Sequence, residues 1–281
     1  MNIRRALAEA QVLLKSGDIE TAALDSSLLL AFVLQTPREQ LYTHNGRSLD
    51  RAERSAYTEL LRRRIEGESV AVLTGRREFY GLDFMVNSHV LVPRPDTETL
   101  VEAALEALAR RTNPRMLDLC TGSGAVAIAV KHSLSAAEVD AADISPAALL
   151  VARENSKRLV NGSIHFFEGD LFFALPCSSA RFDLITANPP YIPTGKIGSL
   201  SKEVRREPLL ALDGGGDGLD LIRRIVGGSG AYLKAGGSLV MEADSSQMTA
   251  IILLLKDHGF SECTIKRDLA GHERVICGSF R

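Results

Sequence analysis

From Arg115 onward, short apolar runs of strand character alternate with segments whose apolar residues recur at helical spacing. The expected strands span residues 116–120, 139–142, 164–167, 182–187, 238–242, 263–266 and 274–278. The expected helices between them span residues 125–132, 145–159, 220–226 and 247–258. Such alternation predicts an α/β protein with a doubly wound, mainly parallel, seven-stranded sheet, helices on both faces and a terminal antiparallel pair.

The region before this sheet has a different pattern. Over about the first 66 residues, apolar positions such as Ile3, Leu7 and Ala10 recur at helical spacing, which predicts helices only. The run Thr36-Pro37-Arg38-Glu39 predicts a helix start in which Thr36 is the cap and Glu39 completes a capping box. Because this region carries no catalytic constellation, it serves either for packing or for docking a substrate.

A linker separates the two regions. Two short β-prone runs flank Gly81, a pattern that is typical of a β-hairpin. We therefore expect a small N-terminal helical bundle over residues 1–75, a connecting hairpin over 76–95 and the α/β domain over 96–281.

Composition excludes several classes of function. The 33 basic residues are balanced by 35 acidic ones, so we expect no stable nucleic-acid binding. The apolar runs are too short to span a membrane, and residues 1–15 carry no secretion signal. Cys120, Cys177, Cys263 and Cys277 form no C-x-x-C pair, which argues against a zinc site or a disulfide framework. We expect a cytoplasmic, metal-free monomer.

Ligands of a doubly wound sheet bind beyond the carboxyl ends of its strands. The segment Asp118-Leu119-Cys120-Thr121-Gly122-Ser123-Gly124 follows the first strand and leads directly into a helix. A glycine-rich turn lets the backbone approach a ligand closely and directs helix N-terminal N–H groups at it. The alternative is a plain tight turn without a ligand.

Two cofactor classes fit this turn. Gly122, Gly124 and Ala127 match G-x-G-x-x-A, and Asp143 follows about twenty residues later, as in a dinucleotide-binding fold. However, a carboxylate at the end of the second strand can bind the ribose hydroxyls of NAD or of S-adenosylmethionine equally well. The first two strands therefore leave hydride transfer and methyl transfer both open.

The third strand is followed by Gly169-Asp170-Leu171-Phe172. The Asp170 carboxylate stands where it could bind an adenine amino group, with apolar neighbours beside the ring. The alternative role of Asp170 is to cap a turn.

The fourth strand is followed by Asn188-Pro189-Pro190-Tyr191. Two consecutive prolines remove two N–H donors and hold the backbone extended, which leaves carbonyl groups free to accept. The Asn188 side-chain oxygen and the Pro189 carbonyl could each accept one hydrogen of a planar NH₂ group. Tyr191 could lie over that plane or near a methyl cation, where cation–π attraction contributes about 0.5–2 kcal/mol.

Such an arrangement is suited to methylating an amide. An amide nitrogen is a weak nucleophile because its lone pair is delocalised, so orientation and electrostatics must supply most of the catalysis. No strong base is required, because the nitrogen becomes positive and more acidic as it gains the methyl group, and two acceptors stabilise that change.

Taken together, the Asp118–Gly124 turn, Asp143 and the 188–191 motif resemble the class I S-adenosylmethionine-dependent methyltransferases, which have a Rossmann-like fold. More narrowly, the chain is similar to the release-factor glutamine methyltransferases of the HemK/PrmC type. The segments that carry this resemblance are residues 77–81, 92–98, 207–208, 211–215, 217–220 and 268–275.

The resemblance has specific implications. It implies that residues 120–124, Asp143, Asp170 or Leu171, and Asn188 contact S-adenosylmethionine, which leaves as S-adenosylhomocysteine. It also implies that residues 188–191 hold the glutamine of the Gly-Gly-Gln loop of class 1 peptide chain release factors, so that N5-methylglutamine forms. The protein substrate would then be a release factor acting in translation termination.

Three positions depart from the family pattern. Cys120 stands where glycine is typical, Asp96 stands where glutamate is typical, and Ala243-Asp244 replaces an apolar residue followed by glycine.

Two other functions compete with this interpretation. Adenine presents the same planar C–NH₂ group, which an adenine-N6 methyltransferase acting on DNA or RNA would bind with the same motif; the balanced charge argues against it. A non-catalytic cofactor-binding module is the second competitor.

Overall fold

The computed structural model describes residues 1–176 and 181–281, so Cys177 lies outside the described residues. The chain divides into two compact units. The first comprises residues 1–76 together with 201–206, and the second comprises 77–200 together with 207–281. Within the described residues, no helix combines the length and the apolar character needed to cross a bilayer.

The first unit is helical. Its helices are α1 (Ile3–Ser16), α2 (Ala22–Leu34), α3 (Arg38–Thr43), α4 (Arg51–Ile65) and α5 (Val70–Thr74). Leu14, Leu29 and Tyr57 are among the buried residues of its core. The buried Tyr57 hydroxyl donates to the Ser26 carbonyl at 2.9 Å, which satisfies its one polar group inside that core.

The capping box lies at α4 and not at α3. Asp50 caps α4 by accepting from the Glu53 N–H at 2.8 Å, and Glu53 accepts from the Asp50 N–H in return. The predicted box at Thr36 and Glu39 is wrong, because Pro37 itself occupies the cap position of α3. That shift places Gln40 at the third helical position, and the Thr36 hydroxyl donates to its side chain at 2.6 Å.

The three consecutive arginines of α4 are all paired. Arg62 and Arg63 bind nearby glutamates at the surface, as a solvated helix face would. Arg64, in contrast, is buried and binds Asp25 at 2.8 Å and Glu203 at 2.8 Å. The segment 201–206 is thus held to the bundle by a buried charge.

A hairpin precedes the main sheet, as predicted from the runs around Gly81. Its strands are β1 (Arg76–Phe79) and β2 (Leu82–Met85). Asn155 is fully buried and holds β2, accepting the Met85 N–H at 2.7 Å. The other end of the same amide donates to the Ser123 carbonyl at 3.0 Å, so Asn155 fixes the hairpin against the glycine-rich turn.

The main sheet has seven strands in the order β5-β4-β3-β6-β7-β9-β8. The strands are β3 (Arg115–Leu119), β4 (Glu138–Asp143), β5 (Ile164–Glu168), β6 (Phe182–Ala187), β7 (Leu233–Glu242), β8 (Phe260–Arg267) and β9 (Glu273–Phe280). Strand β9 pairs antiparallel with β7 and β8, and the remaining pairs are parallel. The predicted α/β class, with a mainly parallel sheet and a terminal antiparallel pair, is confirmed.

Helices cover both faces of this sheet. They are α6 (Glu98–Leu108), α7 (Ala125–Ser133), α8 (Pro146–Val160), α9 (Asp220–Tyr232) and α10 (Met248–Asp257). Because side chains alternate along a strand, Met116 packs with α6, α7 and α8, whereas Leu117 packs with α9 and α10. The central strands β3 and β6 are buried on both faces, which explains their nearly continuous apolar sequence.

Helix α9 is longer than the sequence indicates. It was expected to end near Val226 but continues to Tyr232 through three glycines. A Cβ added at Gly228 would lie 2.7 Å from the Phe172 ring, and one at Gly230 would lie 2.8 Å from the Phe280 ring. Close packing against two aromatic rings therefore outweighs the low helix propensity of glycine.

Candidate active site

A cavity of about 340 Å³ lies at the carboxyl ends of β3, β4, β5 and β6. The chain order reverses at this place, since β3 has β4 on one side and β6 on the other. Ten predicted site residues line the cavity: Asp118, Cys120, Thr121, Gly122, Ser123, Asp143, Asp170, Leu171, Asn188 and Pro190. Three predicted site residues, Gly124, Pro189 and Tyr191, are not among its lining residues.

The turn after β3 has a strained backbone. Cys120 has a φ of +57°, Gly122 of +56° and Gly124 of +80°. A Cβ at Gly124 would lie 2.9 Å from the end of the Ile128 side chain and 3.3 Å from Ala152 of α8, so this turn packs closely. Left-handed residues that cluster at one cavity wall are typical of a backbone shaped to approach a ligand.

Asp118 is a buried carboxylate in this wall. It is only 1 % exposed, and its two oxygens accept the Thr121 and Thr186 hydroxyls, each at 2.6 Å. Burial raises the pKa of Asp118 to about 6, while the two hydroxyl groups oppose the shift. Because Asp118 is shielded from water, its negative charge strongly attracts a positively charged group that enters the cavity.

Asp143, at the end of β4, holds the neighbouring turn. It accepts the Gly122 N–H at 2.8 Å and the Ser145 N–H at 2.9 Å. Burial raises the pKa of Asp143, and these backbone donors counteract the shift. A carboxylate has about four acceptor sites, so two remain for the hydroxyls of a bound ribose.

Asp170 and Leu171 form the wall beyond β5. Leu171 has a left-handed backbone, with a φ of +51°, and both residues line the cavity. The Asp170 carboxylate binds Arg224 of α9 at 2.6 Å, and both side chains are about 44 % exposed. A pair this exposed is weak and leaves Asp170 accessible to a ligand.

The loop after β6 is fixed by a glycine-rich partner. The Ile192 N–H donates to the Leu212 carbonyl at 3.0 Å, and the Gly214 N–H donates to the Ile192 carbonyl at 2.9 Å. A Cβ at Gly214 would lie 2.7 Å from the Pro190 carbonyl oxygen. Gly214 therefore lets its segment lie directly against the backbone of the 188–191 motif.

Two side chains of the 188–191 motif have defined partners. The Asn188 amide nitrogen donates to the Thr97 hydroxyl at 3.3 Å. The Tyr191 hydroxyl donates to Glu242 at 3.0 Å, and burial raises the pKa of this carboxyl. The Tyr191 carbonyl accepts from Gln247 at 2.9 Å, so the tyrosine is held at both ends.

Several cavity residues were not singled out from the sequence. Arg94 lines the cavity and binds the buried Glu207 at 2.7 Å. Glu207 is followed directly by Pro208, and both Pro208 and Leu210 also line the cavity. Arg94 and Glu207 lie in segments quoted for the family resemblance, but their 113-residue separation conceals the ion pair. Thr97 and Arg224 line the cavity as well.

The departures from the family pattern have distinct surroundings. Cys120 has the left-handed backbone that favours glycine. Asp96, although one methylene shorter than glutamate, binds Arg274 at 3.2 Å, and Arg274 also binds Asp268 at 3.2 Å. Asp244 caps the turn that leads into α10 through a capping box with Gln247.

Comparison with known proteins agrees with this architecture. The family model described as the PrmC N-terminal domain matches residues 5–75. The model described as the methyltransferase small domain matches residues 96–217. The first model falls within the helical unit, and the second covers the part of the sheet domain up to residue 217.

Curated relatives are similar over nearly the whole chain. A release factor glutamine methyltransferase of Moorella thermoacetica is 40% identical over 98% of this chain and 98% of its own length. A release factor glutamine methyltransferase of Burkholderia pseudomallei is 41% identical over 96% of both chains. Among solved structures, a methyltransferase from Pyrococcus furiosus has a TM-score of 0.52 at 16% identity, covering 79% of this chain and 98% of its own. That structure supports the fold alone.

Proposed function

This chain belongs to the release factor glutamine methyltransferase family, and we propose that it methylates the Gly-Gly-Gln glutamine of class 1 release factors on the side-chain nitrogen. The methyl donor would be S-adenosylmethionine, and the products would be N5-methylglutamine and S-adenosylhomocysteine. The observation that carries the proposal is that Asn188 and Pro190 line the same cavity as the glycine turn that follows β3.

The cavity wall fits the cofactor. Asp118 offers a buried negative charge, Asp143 has acceptor sites left for ribose hydroxyls, and the left-handed turn permits close approach of the backbone. Cys120, Thr121, Ser123, Asp170 and Leu171 complete the proposed cofactor-binding set, with Gly124 shaping the turn. When bound, S-adenosylmethionine supplies an electrophilic methyl carbon.

The chain's own residues hold the acceptor. With its nitrogen donating to Thr97, Asn188 keeps its oxygen free to accept from the substrate NH₂ group. We assign the second acceptor to the Pro189 carbonyl, which no described group donates to. The acceptor nitrogen would bond to the methyl carbon as the S–C bond breaks and leaves its electron pair on sulfur. The Asn188 and Pro189 oxygens would stabilise the positive charge on the nitrogen, which then releases one proton to water. The proposed contact of the Tyr191 ring with the amide or the methyl group stays a prediction.

The proposal is tested with purified protein and methyl-labelled S-adenosylmethionine. The acceptors are a class 1 release factor, the same factor with Gln of the Gly-Gly-Gln motif changed to Ala, and adenine-containing DNA or RNA. We expect label only in the unchanged release factor. Label in nucleic acid alone would instead establish the adenine-N6 methyltransferase alternative, and label in the altered factor would place the acceptor at another residue.

We extend the proposal to the first unit and to the state of the protein. The helical bundle would dock the release factor, and the enzyme would act as a cytoplasmic monomer. Hydrogen exchange with and without release factor tests the docking role. Protection in helices α1 to α5 is expected, and protection confined to the second unit would reject the docking role.

Analytical ultracentrifugation of the free enzyme tests whether it is a monomer.

A further inference from the structure

The Thr97 hydroxyl lies next to the amide of Asn188. Thr97 ends the short 3-10 turn Pro95–Thr97 that leads into α6, and it is only 4 % exposed. Its oxygen accepts from the Asn188 amide nitrogen at 3.3 Å. A side-chain amide has one donor end and one acceptor end, so this bond determines which end faces away from Thr97.

Glu242 lies behind this pair at the end of β7 and is 2 % exposed. One of its oxygens accepts the Tyr191 hydroxyl at 3.0 Å, while the other makes no hydrogen bond of standard geometry among the described residues. The Thr97 hydroxyl also interacts with this carboxyl and lowers its pKa against the effect of burial. Because the Thr97 oxygen accepts from Asn188, its proton remains available for the buried Glu242 oxygen that has no bond of standard geometry.

The negative charge of Glu242 is partly balanced by a nearby cation that forms its ion pairs with other carboxylates. The charge of Arg274 lowers the pKa of Glu242, but the Arg274 guanidinium is bound to Asp96 and Asp268, at 3.2 Å each. Glu242 accepts from the Tyr191 hydroxyl, and its second oxygen remains available to the Thr97 hydroxyl. A buried carboxylate is costly unless it accepts hydrogen bonds, so the hydroxyl orientations are strongly fixed.

We propose that Glu242 and Thr97 are positioning residues that hold the Asn188 amide with its oxygen toward the acceptor NH₂ group. This inference rests on the function proposed above. If the Thr97 hydroxyl is removed, Asn188 can turn its amide by half a rotation and present its own NH₂ group. Two NH₂ groups cannot hydrogen-bond through their hydrogens, so the substrate nitrogen loses its alignment with the methyl group.

The test compares two substitutions of Thr97 with a matched control. Thr97→Val keeps the shape and removes the hydroxyl, Thr97→Ser keeps the hydroxyl, and Thr99→Val makes the same change on α6 outside the cavity. We expect Thr97→Val to lower kcat by about tenfold to a hundredfold with the Kd for S-adenosylmethionine within about threefold. Thr97→Ser should restore kcat to within about threefold, and Thr99→Val should match the unchanged enzyme.

Glu242→Gln provides a second test that does not depend on Thr97→Val folding. A glutamine there offers an NH₂ group to one of the two hydroxyls, so we expect a kcat loss of the same order with little change in the KM for release factor. If both Thr97→Val and Glu242→Gln keep full kcat while the unchanged enzyme methylates release factor, the positioning role is refuted and the function stands. Equal loss in Thr97→Ser and Thr97→Val would also refute it. An unchanged enzyme without activity on release factor refutes the function itself.

Discussion

The Asp143 carboxylate accepts the Gly122 N–H at 2.8 Å, which joins the end of β4 to the glycine turn that follows β3. The same side chain accepts from the Ser145 N–H at 2.9 Å and lines the cavity. One residue thus shapes the turn and faces the ligand.

We predict that Asp143→Ala weakens S-adenosylmethionine binding by at least about thirtyfold. The substitution removes a charged acceptor, whose hydrogen bonds contribute about 1.5–3 kcal/mol. Calorimetric titration measures the Kd. Glu138→Ala, on the same strand but exposed and outside the cavity, is the control and should leave the Kd unchanged. An unaltered Kd in Asp143→Ala would remove this residue from the cofactor site.

A second prediction separates binding from chemistry at Asn188. Asn188→Ala should abolish methyl transfer while the Kd for S-adenosylmethionine stays within about tenfold, because the loss is mainly in orientation of the acceptor. Single-turnover assays with labelled cofactor measure the rate, and calorimetry measures the Kd. A variant with full transfer activity would show that the acceptor is held elsewhere.

The sequence predicted the sheet well because its central strands are buried on both faces and its strands are bounded by turns. The strand Phe182–Ala187 was predicted to the residue, and the other strands were located with ends that differ by up to five residues. Errors arose where tertiary contacts override local preference. Helix α9 continues through Gly228, where the helix backbone packs directly against the Phe172 ring and leaves no room for a side chain.

The candidate site was predictable only in part. Residues that follow strands could be found because parallel strands place their carboxyl ends together. The partners of those residues could not, since hydrogen bonds between distant segments leave no local pattern. Thr97 and Asn188 are 91 residues apart, and Asn155 reaches Met85 across 70 residues. The hydrogen bond from Tyr191 to Glu242 also joins distant segments, so it could not be predicted from the sequence.

A third prediction concerns the pH dependence of stability. The pKa of Asp118 is raised by burial from 3.8 to about 6, so the folded protein binds more protons than the unfolded chain between these values. The free energy of unfolding contributed by this group therefore falls as pH rises through that window, by at most about 3 kcal/mol.

Replacing Asp118 by Asn removes this titration. We measure the unfolding free energy of Asp118→Asn minus that of the unchanged protein, both without cofactor. This difference should be more positive at pH 7.5 than at pH 4.5. Urea unfolding at both pH values measures the difference, and Glu138→Gln on the exposed start of β4 is the control. A difference that does not vary with pH would mean that Asp118 titrates normally.

A fourth prediction concerns the backbone of Cys120, whose φ is +57°. Glycine adopts this conformation without strain, whereas a β-branched residue is strongly disfavoured there. We expect Cys120→Gly to remain within about 1 kcal/mol of the unchanged protein and Cys120→Val to lose about 1–3 kcal/mol of unfolding free energy. Denaturant unfolding measures both. Equal stability of the two variants would contradict a strained turn.

The last prediction concerns Arg64 in the helical bundle. Its guanidinium is only 9 % exposed and binds Asp25, which is 6 % exposed, so removing it leaves a buried negative charge without its partner. We expect Arg64→Ala to lower the unfolding free energy by about 3–5 kcal/mol. Arg62→Ala, two residues earlier on α4 at the surface and 54% exposed, should cost no more than about 1 kcal/mol.

A double variant identifies the cause of that loss. If the unpaired Asp25 carboxylate is responsible, then adding Asp25→Ala to Arg64→Ala should recover part of the stability, because the buried charge is removed as well. Denaturant unfolding of the single and double variants measures the coupling. If the two losses simply add, the cost of Arg64→Ala comes from lost side-chain packing and from the second partner, Glu203, and the Arg64–Asp25 pair contributes little.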